Sequence, residues 1–328
     1  MDYSQLSKSE LLIKCAELNI CNYKSKNKKD LIQLLLKCSQ FSIENTNNVL
    51  LESISIKKEE PVISLCNIPL KPLIKWSGGK SDEIKHFKQY FPVHFNKYIE
   101  PFIGGGSVFF HLNPLNAVIN DVHKELIDLY KSIHDGKADE IYEFMQNNPN
   151  TEETYYQIRD NMTVNSTLDR AKIFYYQRKT CFRGMLRYNK NGKFNIPFGK
   201  YKTINYNELK DKRYEDLLKR TEILNTEFEN IFELYNDENN FMFLDPPYDS
   251  EFTDYGYCKF GKEEHVKLSL LFKNTKIKCL MIIGKTPFIE NLYNGYIVNE
   301  YDKKYKFKLY DGRIGNEINT KHLIIKNY

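Results

Sequence analysis

The chain has 328 residues, 41% hydrophobic and 28% charged, with a net charge of +5. That is enough to bury one sizeable core with room for a small appended module. No stretch reaches the roughly 20 apolar residues of a membrane span, and Met1-Asp2-Tyr3-Ser4 does not open a signal peptide, so a soluble, intracellular protein with no membrane partner is expected. The seven cysteines (Cys15, Cys21, Cys38, Cys66, Cys181, Cys258, Cys279) contain no C-x-x-C pair and are odd in number. This argues against a zinc site and a disulfide framework and for reduced thiols.

Residues 3–37 read as two short helices. Ser7-x-x-Glu10 is a capping box before Leu11, Leu12, Cys15 and Leu18, and Asn27-x-x-Asp30 precedes Leu31, Ile32, Leu34 and Leu35. The Ser- and Asn-rich stretch that follows, with Lys57-Lys58-Glu59-Glu60, reads as a linker. The expected layout is a helical module over 1–38 and a linker over 39–69. A main domain is formed by 70–135 and 236–328, interrupted by an inserted small domain over 136–235.

From Leu70 onward short apolar runs alternate with longer helical patterns, which predicts an α/β sheet. Candidate strands are Tyr98 to Glu100, Ala117 to Asn120, Phe241 to Leu244 and Cys279 to Ile283. Tyr305 to Tyr310 and His322 to Lys326 flank Asp311-Gly312 as an antiparallel closing pair. Helices are predicted from Val108, over Val122 to Ile133 and over Ala138 to Met145. The expected architecture is a Rossmann-like, mostly parallel sheet with an antiparallel edge hairpin.

Glu100-Pro101-Phe102-Ile103-Gly104-Gly105-Gly106-Ser107 lies between a strand and a helix, where glycines let the backbone turn tightly and approach a ligand. Asn120-Asp121 ends the next strand, where an acidic residue takes ribose hydroxyls in nucleotide-binding folds, so Asp121 is a candidate ribose clamp. Trp76-Ser77-Gly78-Gly79-Lys80-Ser81 has the ending of a phosphate loop but lacks its first glycine. Trp76 is the only tryptophan and sits in a polar, Gly-rich context, suited to stacking on a ligand or to packing in the core.

Leu244-Asp245-Pro246-Pro247-Tyr248 follows an apolar strand. Two prolines fix φ and remove two donors, leaving carbonyls that only accept. An Asp carboxylate and a Pro carbonyl suit an exocyclic amine, and Tyr248 offers a face to a base swung out of a duplex. Between Arg170 and Lys202 stand ten Lys or Arg and no acid, interleaved with Phe174, Tyr175, Tyr176, Phe182, Tyr188, Phe194, Phe198 and Tyr201. That mixture suits a polyanion with stacking bases, or a solvated basic face over core aromatics. Asn191-Gly192 marks a turn between two basic arms. Arg183 and Arg187 are candidates for base edges, and Lys190 and Lys193 for phosphates.

Together these motifs, in this order, resemble the Dam family of DNA adenine-N6 methyltransferases from Leu70 to Tyr328. Lys75 to Lys80 is similar to the family's opening motif, Asn120-Asp121-Val122-His123 to its acidic motif, and Phe182 to Gly199 to its DNA-reading segment. Asp245-Pro246-Pro247-Tyr248 is similar to its catalytic motif, and Glu317 to Tyr328 to its ending. Residues 6–32 also resemble the SAP motif, a helix-loop-helix module that usually binds DNA. The resemblance implies S-adenosylmethionine as cofactor, with Trp76, Lys80, Asp121 and Asp245 as contacts, beside Glu100, Phe102, Gly104 and Gly106 of the loop. It implies catalysis by Asp245, Pro246, Pro247 and Tyr248 on a flipped adenine by direct transfer, and supports Arg187 and Asn189 as contacts to duplex DNA, beside Arg183, Lys190 and Lys193 expected from their chemistry. A restriction endonuclease is a candidate second partner, and the oligomeric state stays open. The sequence departs from the family at Gln177-Arg178-Lys179, Arg183 and Gly284-Lys285-Thr286, which leaves the recognition sequence open. A 5-cytosine enzyme would need a cysteine nucleophile, and none stands near Asp245. The seven histidines show no ligand spacing, so no metal is expected. N4-cytosine methylation, an RNA substrate and a non-catalytic DNA-binding scaffold remain the alternatives.

Overall fold

The computed structural model describes residues 6–17, 27–33, 35, 69–249, 260–305, 308–310, 313–314 and 318–328. The chain divides into two compact units, Met1–Ile68 and Pro69–Tyr328. In the first, helix α1 (Lys8–Glu17) opens on a reciprocal cap: Ser7 Oγ accepts from the Glu10 amide and Glu10 Oε2 from the Ser7 amide. Helix α2 (28–33) starts where Asn27 Oδ1 accepts from the Asp30 amide, and Leu11, Leu31 and Leu35 make a small buried cluster. Leu18-Asn19-Ile20, Leu34, the side chain of Cys15, the 39–68 linker, Cys258, Asp311-Gly312 and Glu317 lie outside the described residues.

The second unit opens with helix α3 (Ile84–Phe87), strand β1 (Tyr98–Glu100), helix α4 (Ser107–Leu112), strand β2 (Ala117–Asn120) and helix α5 (Lys124–His134). Helices α6 (Ala138–Asn147), α7 (Glu152–Asn161), α8 (Thr167–Thr180) and α9 (Lys212–Lys219) lead to strand β3 (Thr221–Leu224) and helix α10 (Phe228–Leu234). Strand β4 (Phe241–Leu244), helix α11 (Lys262–Asn274), strand β5 (Lys278–Gly284) and helix α12 (Pro287–Leu292) follow. Strands β6 (Ile297–Tyr305), β7 (Lys308–Tyr310), β8 (Arg313–Ile314) and β9 (Ile318–Lys326) end the chain.

Among the described residues, seven strands form one sheet in the order β3-β2-β1-β4-β5-β9-β6. The first five are parallel, while β9 runs antiparallel to both β5 and β6, as the mostly parallel sheet with an antiparallel edge required. The edge hairpin is displaced from the expected register: its first arm is β6, and Lys308–Tyr310 pairs instead with β8. The charged run of β6 hid this strand, because an edge strand needs no continuous apolar pattern.

Alternate residues along the central strands enter two cores, one on each face of the sheet. Tyr98, Ile119, Phe241, Phe243 and Ile282 join one, and Ile99, Val118, Met242, Leu244 and Ile283 the other. The buried residues of the stretch 136–235 are continuous with the two cores of the sheet. Tyr155, Phe174, Tyr175 and Tyr176 belong to the same buried cluster as Tyr98 and Phe241. Its end also supplies β3, which pairs with β2. Helix α8 packs against α5, α6 and α7 and is buried nearly all round, so its aromatics are core and not a stacking surface. No helix of the described residues is long and apolar enough to cross a membrane.

Candidate active site

Strand order reverses between β1 and β4, which pair through Tyr98↔Phe241 and Ile99↔Met242. The loops leaving their carboxyl ends therefore part at a crevice, the place where open parallel sheets bind ligands. One of those loops is Pro101 to Gly106 and the other is Asp245 to Asp249.

Asp245 is joined there by Lys80, whose ammonium donates to Asp245 Oδ2 at 2.7 Å and to the Gly78 carbonyl at 2.6 Å. Lys80 is buried, whereas the Asp245 side chain keeps 21% exposure at the crevice. Burial pushes the Asp245 carboxyl up, and the Lys80 charge opposes it. Asp245 Oδ1 takes no hydrogen bond among the described residues, so one acceptor oxygen remains for a ligand. Tyr248 lies under the same ammonium, 5.1 Å from its ring centroid, and meets the His322 imidazole edge-on at 5.2 Å. Gly284 leaves room for that ring, since a Cβ there would stand 3.2 Å from Tyr248. His322 is held in turn by Glu83, which accepts from its Nδ1 and from Tyr301, both at 2.7 Å, and from Lys303. Burial works against the Glu83 charge, yet these donors and Lys80 hold its carboxyl at about 2.

The glycine loop is gripped from two sides. Asp121 Oδ2 accepts from the Gly104 amide at 3.0 Å, and Tyr130 donates to the Gly104 carbonyl at 2.8 Å. Gly104 has φ +47°, and a Cβ on it would lie 2.7 Å from the Trp76 indole. Trp76 thus covers the loop and is half-buried. Burial raises the Asp121 carboxyl to about 6 against the amides of His123 and Gly104. Asn120 stitches the loops after β1 and β3, donating to the Pro101 and Thr226 carbonyls and accepting from the Thr226 amide. Phe102 packs with Phe228 and Phe260. Glu100 is buried and accepts from Tyr98 at 2.7 Å. Burial, with the Asp245 charge added, pushes its carboxyl well above the usual range.

The expected DNA contacts lie on the loop 181–199, which forms an antiparallel arch with bridges at Cys181↔Phe198 and Tyr188↔Phe194 in place of regular strands. Arg183 (φ +57°), Arg187, Asn189, Lys190 and Lys193 are all exposed on it. Arg187 donates across the arch to Asn195 Oδ1 at 2.8 Å. Asn189 uses its Oδ1 on the amides of Asn191 and Lys193, so that atom builds the turn.

Sequence reasoning missed Glu83, Tyr130, Phe228 and the partner of Tyr248, His322, as parts of the site. Glu83 and His322 are 239 residues apart and neither carries a local signal.

Residues 76–309 match the family described as D12 class N6 adenine-specific DNA methyltransferase. The chain is similar to the type II methyltransferase M.CviBI of Paramecium bursaria Chlorella virus NC1A, with 58% identity covering 79% of this chain and all of that protein. It is 32% identical to the type II methyltransferase M1.LlaDCHI of Lactococcus lactis subsp. cremoris, over 72% of this chain and 88% of the relative. To the DNA adenine methylase of Haemophilus influenzae strain Rd it is 30% identical, over 69% and 83%.

Proposed function

The chain belongs to the D12 class of N6 adenine-specific DNA methyltransferases, and from that premise we propose that it uses S-adenosylmethionine, held at the β1/β4 crevice, to methylate adenine N6 within a short duplex sequence. The observation that carries this reading is the Asp245 carboxylate, fixed through Oδ2 by Lys80 and uncommitted at Oδ1, beside a paired glycine loop and acid, Gly104 and Asp121. The residues present suit the cofactor: carboxylates for hydroxyls and for positive charge, glycines for close approach, and Phe102 and Phe228 for an apolar ring. Trp76, Lys80, Glu100, Phe102, Gly104, Gly106, Asp121 and Asp245 are the residues that would hold it. When bound, the cofactor supplies an electrophilic methyl group on sulfur.

The chain's own part is alignment. Asp245 Oδ1 and the Pro246 carbonyl accept the two N–H bonds of the adenine amine, which biases the nitrogen toward tetrahedral geometry and frees its lone pair. Lys80 keeps the carboxylate from turning away. Tyr248, fixed by His322, gives its face to a base taken out of the stack. As nitrogen gains the methyl carbon it releases one proton, which Asp245 Oδ1 is positioned to accept. Arg187 and Arg183 read bases, and Lys190 and Lys193 meet phosphate. The helix pair of the N-terminal unit is read as a tether to DNA. Two relatives are named type II methyltransferases, and from this we infer that the modification shields DNA from an endonuclease with the same recognition sequence.

The test is transfer of labelled methyl from S-adenosylmethionine to duplex DNA by purified protein, followed by nucleoside digestion. Label is expected in N6-methyladenine and absent with Asp245→Ala. Label confined to N4-methylcytosine would overturn the base assignment. Sequencing of methylated adenines then maps the site.

A further inference from the structure

Tyr188 sits on the arch that carries the expected DNA contacts, yet its hydroxyl points inward. It hydrogen-bonds His123 Nε2 at 2.8 Å and donates to the Glu125 carboxylate. The direction of this relay follows from the other imidazole nitrogen: Nδ1 accepts from the Leu126 amide, so Nε2 carries the proton and donates to the Tyr188 oxygen. His123 is buried and packs edge-on against Trp76 at 5.6 Å. Trp76 in turn lies so close to the glycine loop that a Cβ on Gly104 or Gly105 would stand 2.7 or 2.8 Å from it. A second tether runs alongside. The buried Arg178 donates to the Met185 carbonyl, on the first arm of the arch, and to the Lys75 carbonyl, beside Trp76, with its guanidinium 5.5 Å from the Trp76 ring.

The arch itself has two isolated bridges and no regular strands, and its cross-arch backbone hydrogen bonds, Phe182 to Pro197, Asn189 to Lys193 and Asn195 to Arg187, join its arms to each other. Its second arm is anchored separately, by Tyr155 and Arg159 donating to the Ile196 carbonyl and by Phe198 packing on Tyr155, whereas these two tethers join its first arm to Trp76. We infer that Tyr188 is a positioning residue that ties the DNA-reading arch to the cofactor loop, so that duplex DNA and cofactor each strengthen binding of the other. This rests on the cofactor and DNA reading above. A ligand that fixes the glycine loop fixes Trp76 and His123, and His123 then offers Tyr188 a preformed partner. The coupling is reciprocal by necessity.

Trp76, the only tryptophan, reports the cofactor titration by its fluorescence. Affinity for S-adenosylmethionine is measured with and without a synthetic duplex carrying an adenine mapped as methylated. In the wild type the duplex is expected to tighten cofactor binding about fivefold or more, and in Tyr188→Phe to change it by no more than about twofold. Glu125→Gln, which removes the charged acceptor, should behave like Tyr188→Phe, whereas Lys190→Ala should weaken DNA binding and keep the wild-type factor. Hydrogen exchange gives a readout without DNA: cofactor should slow the amides of 185–199 in the wild type and not in Tyr188→Phe. A wild-type factor retained in Tyr188→Phe, or arch amides in the wild type that ignore the cofactor, overturns the inference. A wild type that binds no cofactor overturns the cofactor reading and the inference with it. Cofactor binding without coupling overturns the inference alone.

Discussion

Replacing Asp245 by asparagine removes the carboxylate that pairs directly with the Lys80 ammonium among the described residues while keeping nearly the same shape. Lys80 is 1% exposed and would be left with the Gly78 carbonyl, an amide oxygen, the Tyr248 ring and the more distant charge of Glu83. Breaking a buried pair by removing one partner costs about 3–5 kcal/mol, and the 21% exposure of Asp245 puts this case near about 3 kcal/mol. Lys80→Met is the milder change, about 2 kcal/mol, because the crevice can hydrate the stranded carboxylate or let it take a proton. The two losses should not add: the double variant Lys80→Met/Asp245→Asn is expected to be more stable than their sum by about 2 kcal/mol, since no charge is then left unpaired. Urea denaturation read by circular dichroism, with Trp76 fluorescence as second probe, measures all three. Asp245→Asn within about 0.5 kcal/mol of wild type, or strict additivity in the cycle, would show that the pair is hydrated and that Lys80 does not hold the carboxylate.

Gly104→Ala meets the Trp76 indole at 2.7 Å with φ +47°, and should cost about 1–3 kcal/mol and shift the Trp76 emission. Gly192→Ala, at φ +70° with nothing within 4 Å, should cost about 1 kcal/mol and leave that emission alone. The Asp121 carboxyl, raised to about 6, is neutral below that pH and ionised above it. Cofactor affinity should therefore climb as pH rises through about 6, and a flat titration with Asp121 intact would remove it as a ribose acceptor. Glu83, held at about 2 from an ordinary 4.5, contributes stability that is full above 4.5 and lost as pH falls toward 2. The stability gap between wild type and Glu83→Gln should accordingly shrink over that window in acid denaturation. Arg187→Ala should relax sequence preference in mapped methylation, while Lys190→Ala should weaken binding evenly and lower the salt slope of the affinity by about 1.

Much of the sheet was legible along the chain because the information was local. Phe241 to Leu244 is an unbroken apolar run and Ala117 to Asn120 is apolar up to its last residue, and both are buried strands with those bounds. The glycines after β1 and the prolines after β4 restrict the backbone by their own chemistry, and both loops sit at the carboxyl ends as their positions implied. The capped start of α1 was equally local. Strand β3 was not legible: Thr221-Glu222-Ile223-Leu224 is short, half polar and lies at an edge, and only its pairing with β2 makes it a strand. Basic residues interleaved with aromatics looked alike whether they faced DNA or the core, and packing of α8 against three helices sent Phe174, Tyr175 and Tyr176 inward.

By itself, then, the sequence determined the reaction class, because Asp245 to Tyr248 and the glycine loop carry their chemistry in consecutive residues whose backbone preferences are intrinsic. Tertiary structure alone decided which charges meet. Lys80 and Asp245 are 165 residues apart, Glu83 and His322 are 239 apart, and His123 and Tyr188 are 65 apart. An ion pair or a hydrogen bond acts only over a few ångströms, so these partners exist only once the chain has folded around the sheet.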